Sequence, residues 1–147
     1  MSANLNAASA YSAPYNKSYQ STVMLVARLL MGTLFVLFGI RSILGFAGSV
    51  GYFTKLGFPF PEAMVVIAII VQLVAGILLI IGWRTRAAAW VLVLYVVVAT
   101  FMAHRYWEYD AAQYVAQMTN FYKNLAIIGG LLCLSACGPG RSSVDKS

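Results

Sequence analysis

Three polar side chains interrupt long apolar runs of the sequence, where a polar group is unusual. Arg28 lies in the first run, roughly 9 Å from its start at 1.5 Å per residue; Gln72 is near the middle of the second, and His104 ends the third. An arginine inside a bilayer costs about 2.5–3.5 kcal/mol on insertion scales, so it normally has a partner. Arg28 is therefore a candidate binding residue for an anionic or carbonyl group, such as a quinone head or a lipid phosphate. The alternative is a structural role, in which Arg28 holds parts of the bundle together.

Gln72 is the candidate partner of Arg28. If the first two runs are antiparallel membrane helices, the two residues lie within about 5 Å of each other in depth, by the helix rise. Gln72 can accept a hydrogen bond from the guanidinium, but it cannot neutralise the charge. A structural hydrogen bond is the favoured interpretation, and a shared ligand site is the alternative.

A second polar set is expected at the opposite membrane face. Asn120, Lys123 and Asn124 recur at helical spacing near the last apolar run. His104 is expected on the same side, and with Arg41 these residues can line one polar pocket. Because histidine exchanges a proton near neutral pH, proton handling is one role for His104, and a structural hydrogen bond is the favoured one.

The residue inventory excludes several chemistries. A bis-histidine haem needs two histidines, and the chain has one. No metal site is expected, since Cys133 and Cys137 lie toward the membrane face opposite His104, and both are expected as packing residues. A carboxylate relay needs acids within the spans. The four acids lie outside the spans or at their ends: Glu62, Glu108, Asp110 and Asp145.

The composition identifies an integral membrane protein. Of the 147 residues, 61% are hydrophobic and 10% are charged, against roughly 45–50% and 25% in soluble domains. These figures exclude a soluble enzyme, a disordered tail and a nucleic-acid-binding domain. The net charge of +6 comes from basic residues that lie singly at the ends of apolar runs, as they do in the loops of membrane proteins.

The predicted fold is an all-α, integral membrane four-helix bundle over residues 22–137. A bilayer core needs about 20 helical residues, and four runs approach or reach that length. Residues 45–61, rich in glycine and aromatic residues, are predicted as a short interfacial or re-entrant segment. Residues 1–21 are predicted as a flexible polar tail and residues 138–147 as a polar C-terminal tail. The four spans are expected at about 23–44, 63–82, 87–103 and 121–137.

Four spans place both termini on one side of the membrane. That side carries six basic residues and the other side four. Because short cytoplasmic loops are enriched in lysine and arginine, both termini are expected in the cytoplasm. The basic residues on the side of the termini are Lys17, Arg28, Arg84, Arg86, Arg141 and Lys146. Those on the other side are Arg41, Lys55, Arg105 and Lys123.

Short motifs occur in the order of a known family, and on them the chain from about Arg28 to Asp145 resembles the DoxX family of small bacterial membrane proteins. Two departures concern polar positions. The family commonly has glutamate where this chain has Gln72, and lysine where it has Ser42. The matching motifs are Ala27–Gly32 in the first span, Leu56–Pro59 in the first loop, His104 and Arg105 after the third span, Asn120–Ala126 in the fourth, and Gly138–Arg141 in the tail.

The resemblance implies a multi-pass protein of the bacterial inner membrane. It also implies a membrane-anchoring or auxiliary subunit of a quinone-linked or oxidative-stress redox complex. No cofactor is expected in the chain itself, and a quinone is the ligand that the resemblance suggests. The oxidoreductase label comes from the resemblance alone, because the residues form no catalytic constellation. The candidate residues for a quinone, lipid or polar pocket are Arg28, Gln72, His104, Lys123 and Asn124.

The alternative is a structural or assembly protein of the membrane with no redox role of its own. Such a protein would act through faces of small residues, so substitutions at Gly32, Gly76 and Gly130 would be the most harmful. Small-solute transport is a weaker third hypothesis, since the chain is short. The expected partners are the lipid bilayer, a protein of a membrane complex and a second copy of the chain, and no nucleic acid is expected.

Overall fold

The computed structural model describes residues 17–145, and within them the chain is helical throughout apart from its turns and its C-terminal segment. Four of the helices are long and apolar enough to cross a membrane, and a short helix follows the first, which confirms the predicted fold class. The helices are α1 (Lys17–Leu44), α2 (Phe46–Lys55), α3 (Pro61–Ile81), α4 (Thr85–Ala103) and α5 (Ala111–Cys137), with a 3-10 turn at Tyr106–Glu108 before α5.

All four long helices begin before the predicted spans, and two of them begin more than one helical turn earlier. α1 starts at Lys17, so residues 17–21 of the predicted tail are helical, while residues 1–16 lie outside the described part of the chain. α5 starts at Ala111, where the side chain of Asp110 accepts a hydrogen bond from the Gln113 amide at 3.1 Å. An aspartate in this position satisfies a free amide of the first turn, so the polar residues after it can be helical.

α1 and α3 are antiparallel and meet at two glycines. A methyl group on Gly32 would lie 2.6 Å from the carbonyl oxygen of Gly76, and one on Gly76 would lie 3.0 Å from the carbonyl oxygen of Gly32. Two backbones approach this closely only where side chains are absent, as in many membrane helix pairs. Further along the same contact, Gly39 faces Gln72 and Leu73. The glycine contact therefore fixes the register of α1 against α3.

The core lies where α4 packs against α3 on one side and α5 on the other. Its largest apolar residues are buried, which indicates close packing around the first two-thirds of α4. These residues include Phe35, Leu79, Leu92, Val96 and Leu131. By contrast, α2 buries none of its residues completely and lies across the end of the bundle that is remote from the chain termini.

Residues 138–145, here called the C-terminal strap, fold back over the other end of the bundle. The Arg141 amide donates to Oγ of Ser21 at 3.1 Å. The Val144 amide donates to the Ile81 carbonyl at 3.2 Å, and the Asp145 amide donates to the Gly82 carbonyl at 3.0 Å. These bonds use carbonyls left free at the C-terminal end of α3, so the strap completes that helix end.

Candidate functional site

A cavity of about 680 Å³ lies under α2, and all five helices contribute to its lining. It is at the end of the bundle opposite the strap, between the last turns of α1 and the middle of α5. Pockets for small molecules commonly enclose about 300–1,000 Å³, so the size is suitable for one ligand. The lining is mostly apolar, with the aromatic residues Phe35, Phe38, Tyr52, Phe53 and Tyr95.

The most buried polar group of the cavity is the amide of Gln72, which is 5% exposed. Its Nε2 donates a hydrogen bond to the hydroxyl of Tyr95. Its Oε1 is buried, and no residue of the described chain donates a hydrogen bond to it. A buried polar atom without a partner costs free energy, so this oxygen is available for a donor from a ligand.

The mouth of the cavity is basic. Arg41 and Lys123 line it together with Asn124, and no acidic side chain is among the described residues that line it. Lys123 Nζ also donates to Oδ1 of Asn120 at 2.9 Å. Two exposed cations beside an apolar chamber attract a ligand whose polar end carries acceptor oxygens or negative charge.

The walls of the cavity are aromatic, and the hydroxyl of Tyr52 stays protonated. The Phe35 and Tyr95 rings are 6.5 Å apart, edge to face. On α2, burial raises the pKa of the Tyr52 phenol, and the nearby Tyr109 raises it further, so the phenol remains neutral at neutral pH. The arrangement is a slot with apolar faces and hydrogen-bonding groups at its ends, which is suited to a flat ring with polar substituents.

Arg28 lies at the opposite end of the bundle and does not contact this cavity. It is 1% exposed, and its Nη2 donates to the Ser142 carbonyl in the strap. Its guanidinium packs so closely on Gly82 that a methyl group there would lie 2.8 Å from Arg28 Cζ. The structure therefore does not bring Arg28 and Gln72 together, because the Gly32–Gly76 register displaces them toward opposite ends of the α1–α3 contact.

His104 joins α4 to α5 outside the cavity. Its Nδ1 donates to Oε1 of Gln117 across 2.7 Å. The neighbouring Tyr109 hydroxyl donates to the Ala103 carbonyl at 3.4 Å. Of the predicted site residues, the structure brings Gln72, Lys123 and Asn124 into one cavity and leaves Arg28 and His104 elsewhere.

Tyr95 and the residues of α2 line the cavity but were not among the site residues predicted from the sequence. Tyr95 is the single tyrosine of α4 and lies where the helix is otherwise apolar, which is the signal that could have identified it. In the described residues, no three histidine, cysteine or acidic side chains are close enough to hold a metal ion. Cys133 and Cys137 are unpaired and exposed on α5.

Comparison with known proteins gives the family. The DoxX family model matches residues 23–105. The chain is 34% identical over 124 residues to inner membrane protein YphA of Escherichia coli, covering 84% of this chain and 89% of that protein. It is 32% identical over 130 residues to inner membrane protein YqjF of Escherichia coli, covering 88% and 95%.

The chain also has a more distant similarity to part of a eukaryotic protein. The chain is 32% identical over 78 residues to the ER-derived vesicles protein ERV29 of Saccharomyces cerevisiae, covering 53% of this chain and 25% of that protein. No solved structure matches the chain. The family match, the two bacterial relatives and the four apolar helices agree, and the chain therefore belongs to the DoxX family as a multi-pass inner membrane protein.

Proposed function

We propose that this chain is a membrane-anchoring or auxiliary subunit of a quinone-linked or oxidative-stress redox complex, and that it holds a quinone ring in the cavity under α2. The observation that carries the proposal is the unpartnered buried oxygen of Gln72 inside an aromatic chamber with a basic mouth. Electron transfer is assigned to the cofactor of a partner protein, and this chain binds and orients the ring.

The lining suits a quinone at both ends of its ring. The aromatic side chains provide the flat apolar faces, and Lys123 or Asn124 at the mouth can donate to one ring oxygen. The side-chain amide of Gln72 can form a hydrogen bond with the other ring oxygen. On the side between α1 and α5, Leu34 and Ile127 are only half-buried, so an isoprenoid tail can leave the cavity into the bilayer.

The Gln72 amide can form a hydrogen bond with either redox form of the ligand, the quinol or the quinone. As oriented here, Oε1 accepts a hydrogen bond from a quinol hydroxyl. With the amide turned over, Oε1 accepts from the Tyr95 hydroxyl instead, and Nε2 donates to a quinone carbonyl. Both arrangements are satisfied, because a phenol hydroxyl both donates and accepts. The glutamate common in the family is only an acceptor when ionised, whereas the glutamine amide carries an acceptor oxygen and two N–H donors.

Replacing Gln72 with leucine is expected to weaken quinone binding about tenfold, the effect of about 1.4 kcal/mol, because the ring loses a hydrogen-bonding partner while the shape of the chamber is kept. The measurement is a titration of a short-tailed ubiquinone analogue into the full chain in lipid nanodiscs. Gln117→Leu is the matched control, since this glutamine bonds His104 outside the cavity. Equal affinity of the wild-type chain and Gln72→Leu would remove the basis of the proposal.

A structural or assembly role is the second candidate, and it is favoured by one face of α5. Ala126, Gly129, Cys133 and Ala136 are small and exposed, and nothing lies within 4 Å of a methyl group placed on Gly129. Small residues on a membrane helix allow another helix to approach closely. This face is therefore the candidate contact for a protein partner or for a second copy of the chain.

Gly129→Leu is expected to reduce association of the chain with its partner or with itself, because the larger side chain separates the helices. Cross-linking in the native membrane measures this association. Gly51→Leu is the control, since this glycine is equally open but lies on α2 and does not line the cavity. Under the quinone-subunit proposal, Gly129→Leu leaves quinone affinity unchanged; a loss of affinity would place the ligand between chains.

We also assign both termini to the cytoplasmic side. In the described residues, the end of the bundle that carries the strap holds five basic residues and the other end holds four. Two of the five, Arg84 and Arg86, lie at the short connection between α3 and α4, where the positive-inside rule is strongest. This asymmetry supports the assignment, because lysine and arginine are retained on the cytoplasmic side of the membrane.

A further inference from the structure

A second cavity, of about 390 Å³, lies at the strap end of the bundle, far from the cavity under α2. Its lining differs in kind, because it is formed by the start of α1, the start of α4, the end of α5 and the first residues of the strap. The lining residues are Gln20, Ser21, Met24, Arg86, Cys137, Gly138, Pro139, Gly140 and Arg141. We call this cavity the strap groove.

Two arginines and no acid line the strap groove among the described residues. Arg86 comes from α4 and Arg141 from the strap, so the two charges approach from different elements. Neither forms an ion pair with an acid among residues 17–145, where Arg105 and Glu108 form an ion pair at the opposite end of the bundle. Two unpaired guanidinium groups at one groove are the donor set for an oxyanion, which they bind by charge-assisted hydrogen bonds.

The strap holds the groove in shape through its glycines. Gly138 and Gly140 have φ of +78° and +77°, a conformation that disfavours side chains. A methyl group on Gly138 would lie 3.6 Å from Nε and Nη2 of Arg86, and one on Gly140 would lie 3.1 Å from Cβ of Met24. The strap therefore runs from the Arg86 guanidinium to the surface of α1.

A buried charge below the groove strengthens the preference for an anion. Arg28 follows Met24 by one helical turn on the same face of α1. It is 1% exposed, and its Nε and Nη1 have no hydrogen-bond partner among the described residues. Because a buried charge without a counter-charge is costly, a negative group bound in the adjacent groove offsets part of that cost.

Two exposed tryptophans near Arg86 in the chain support a position of the groove at the level of the lipid head groups. Trp83 and Trp90, three residues before and four residues after Arg86, are 47% and 57% exposed, and tryptophans are enriched at the membrane interface. One wall is the apolar side chain of Met24, which is suited to an acyl chain. We propose that the strap groove binds the phosphate of an anionic phospholipid, with Arg86 and Arg141 on its oxygens and the lipid in the leaflet on the side of the chain termini.

The test compares phosphatidylglycerol binding by the full chain and by the double variant Arg86→Gln, Arg141→Gln in detergent micelles. The double variant is expected to bind fluorescent phosphatidylglycerol at least about tenfold more weakly, with unchanged binding of phosphatidylcholine and unchanged thermal unfolding. The matched control is Arg84→Gln, because Arg84 lies in the same turn but its guanidinium is 5.9 Å over the Trp83 ring instead of in the groove.

Three results would overturn the proposal. Wild-type affinity in the double variant would remove the groove as the site. A loss of affinity in Arg84→Gln equal to that of the double variant would show that diffuse surface charge binds the lipid. Displacement of the labelled lipid by inorganic phosphate as effective as that by unlabelled phosphatidylglycerol would identify a free anion, and not a lipid, as the ligand.

Discussion

Gly82→Ala is expected to destabilise the chain by about 2–4 kcal/mol, combining backbone strain with overpacking. Gly82 ends α3 at φ of +72°, where an L side chain is strained. A methyl group there would lie 1.7 Å from Nη1 of Arg28 and 2.6 Å from Cβ of Ser143. The buried guanidinium would have to move, and its hydrogen bond to the strap would be lost. Thermal unfolding in detergent measures the difference.

The variant Gly57→Ala separates the loss of stability due to backbone strain from the loss due to overpacking. Gly57 also has a left-handed backbone, with φ of +78°, but nothing lies within 4 Å of a methyl group there. This variant is expected to lose only about 1 kcal/mol, from backbone strain alone. If both variants lost the same stability, Arg28 would not be packed tightly between α3 and the strap. Faster proteolysis of the strap in Gly82→Ala is the accompanying expectation.

Gly32→Leu is expected to be the most harmful substitution in the bundle, with a loss of at least about 3 kcal/mol from overpacking. Even the first carbon of a side chain would lie 2.5 Å from Cγ1 of Ile80 and 2.6 Å from the Gly76 carbonyl oxygen. The second neighbour is backbone and cannot rotate away, so α1 and α3 must separate. Separation would also open the cavity, because both helices line it.

The folded fraction of Gly32→Leu, measured by resistance to unfolding in detergent, tests this expectation. The control is Gly129→Leu, the same change at a helical glycine with open space around it. A Gly32→Leu chain as stable as Gly129→Leu would show that α1 and α3 do not approach through their glycines. The assembly hypothesis names Gly32 as sensitive too, so this test concerns the fold and not the choice of function.

The fold was predictable because a bilayer leaves few alternatives. Backbone groups in lipid must bond within their own segment, so long apolar runs are helices. The uncharged part of the run ending at Cys137 is short, since it begins only at Leu125, yet the expected span lies inside α5. The early start of α5 was not predicted, because residues 111–120 are polar and their helix depends on the Asp110 cap and on contacts with α4.

The site was predictable only in part, because register decides which side chains meet. Arg41, Lys123 and Asn124 were expected to share a polar pocket at one membrane face, and they line one cavity. Gln72 also lines this cavity, although it was expected to be the partner of Arg28. Arg28 was matched to Gln72 by counting depth from the ends of the runs, which ignores the contact of Gly32 with Gly76. The partner of Arg28 is instead a strap carbonyl, which a sequence pattern cannot locate.

The most direct test of the redox-subunit proposal is mass spectrometry of proteins and lipids together on the complex isolated in mild detergent at native expression. The account predicts a quinone that co-purifies in a fixed ratio to the chain, with a stoichiometric partner that bears a flavin, a haem or reactive thiols. The quinone should be lost from the Gln72→Leu complex and kept in Gln117→Leu. Isolation of only self-associated chains with bulk lipid would contradict the proposal and favour a structural role.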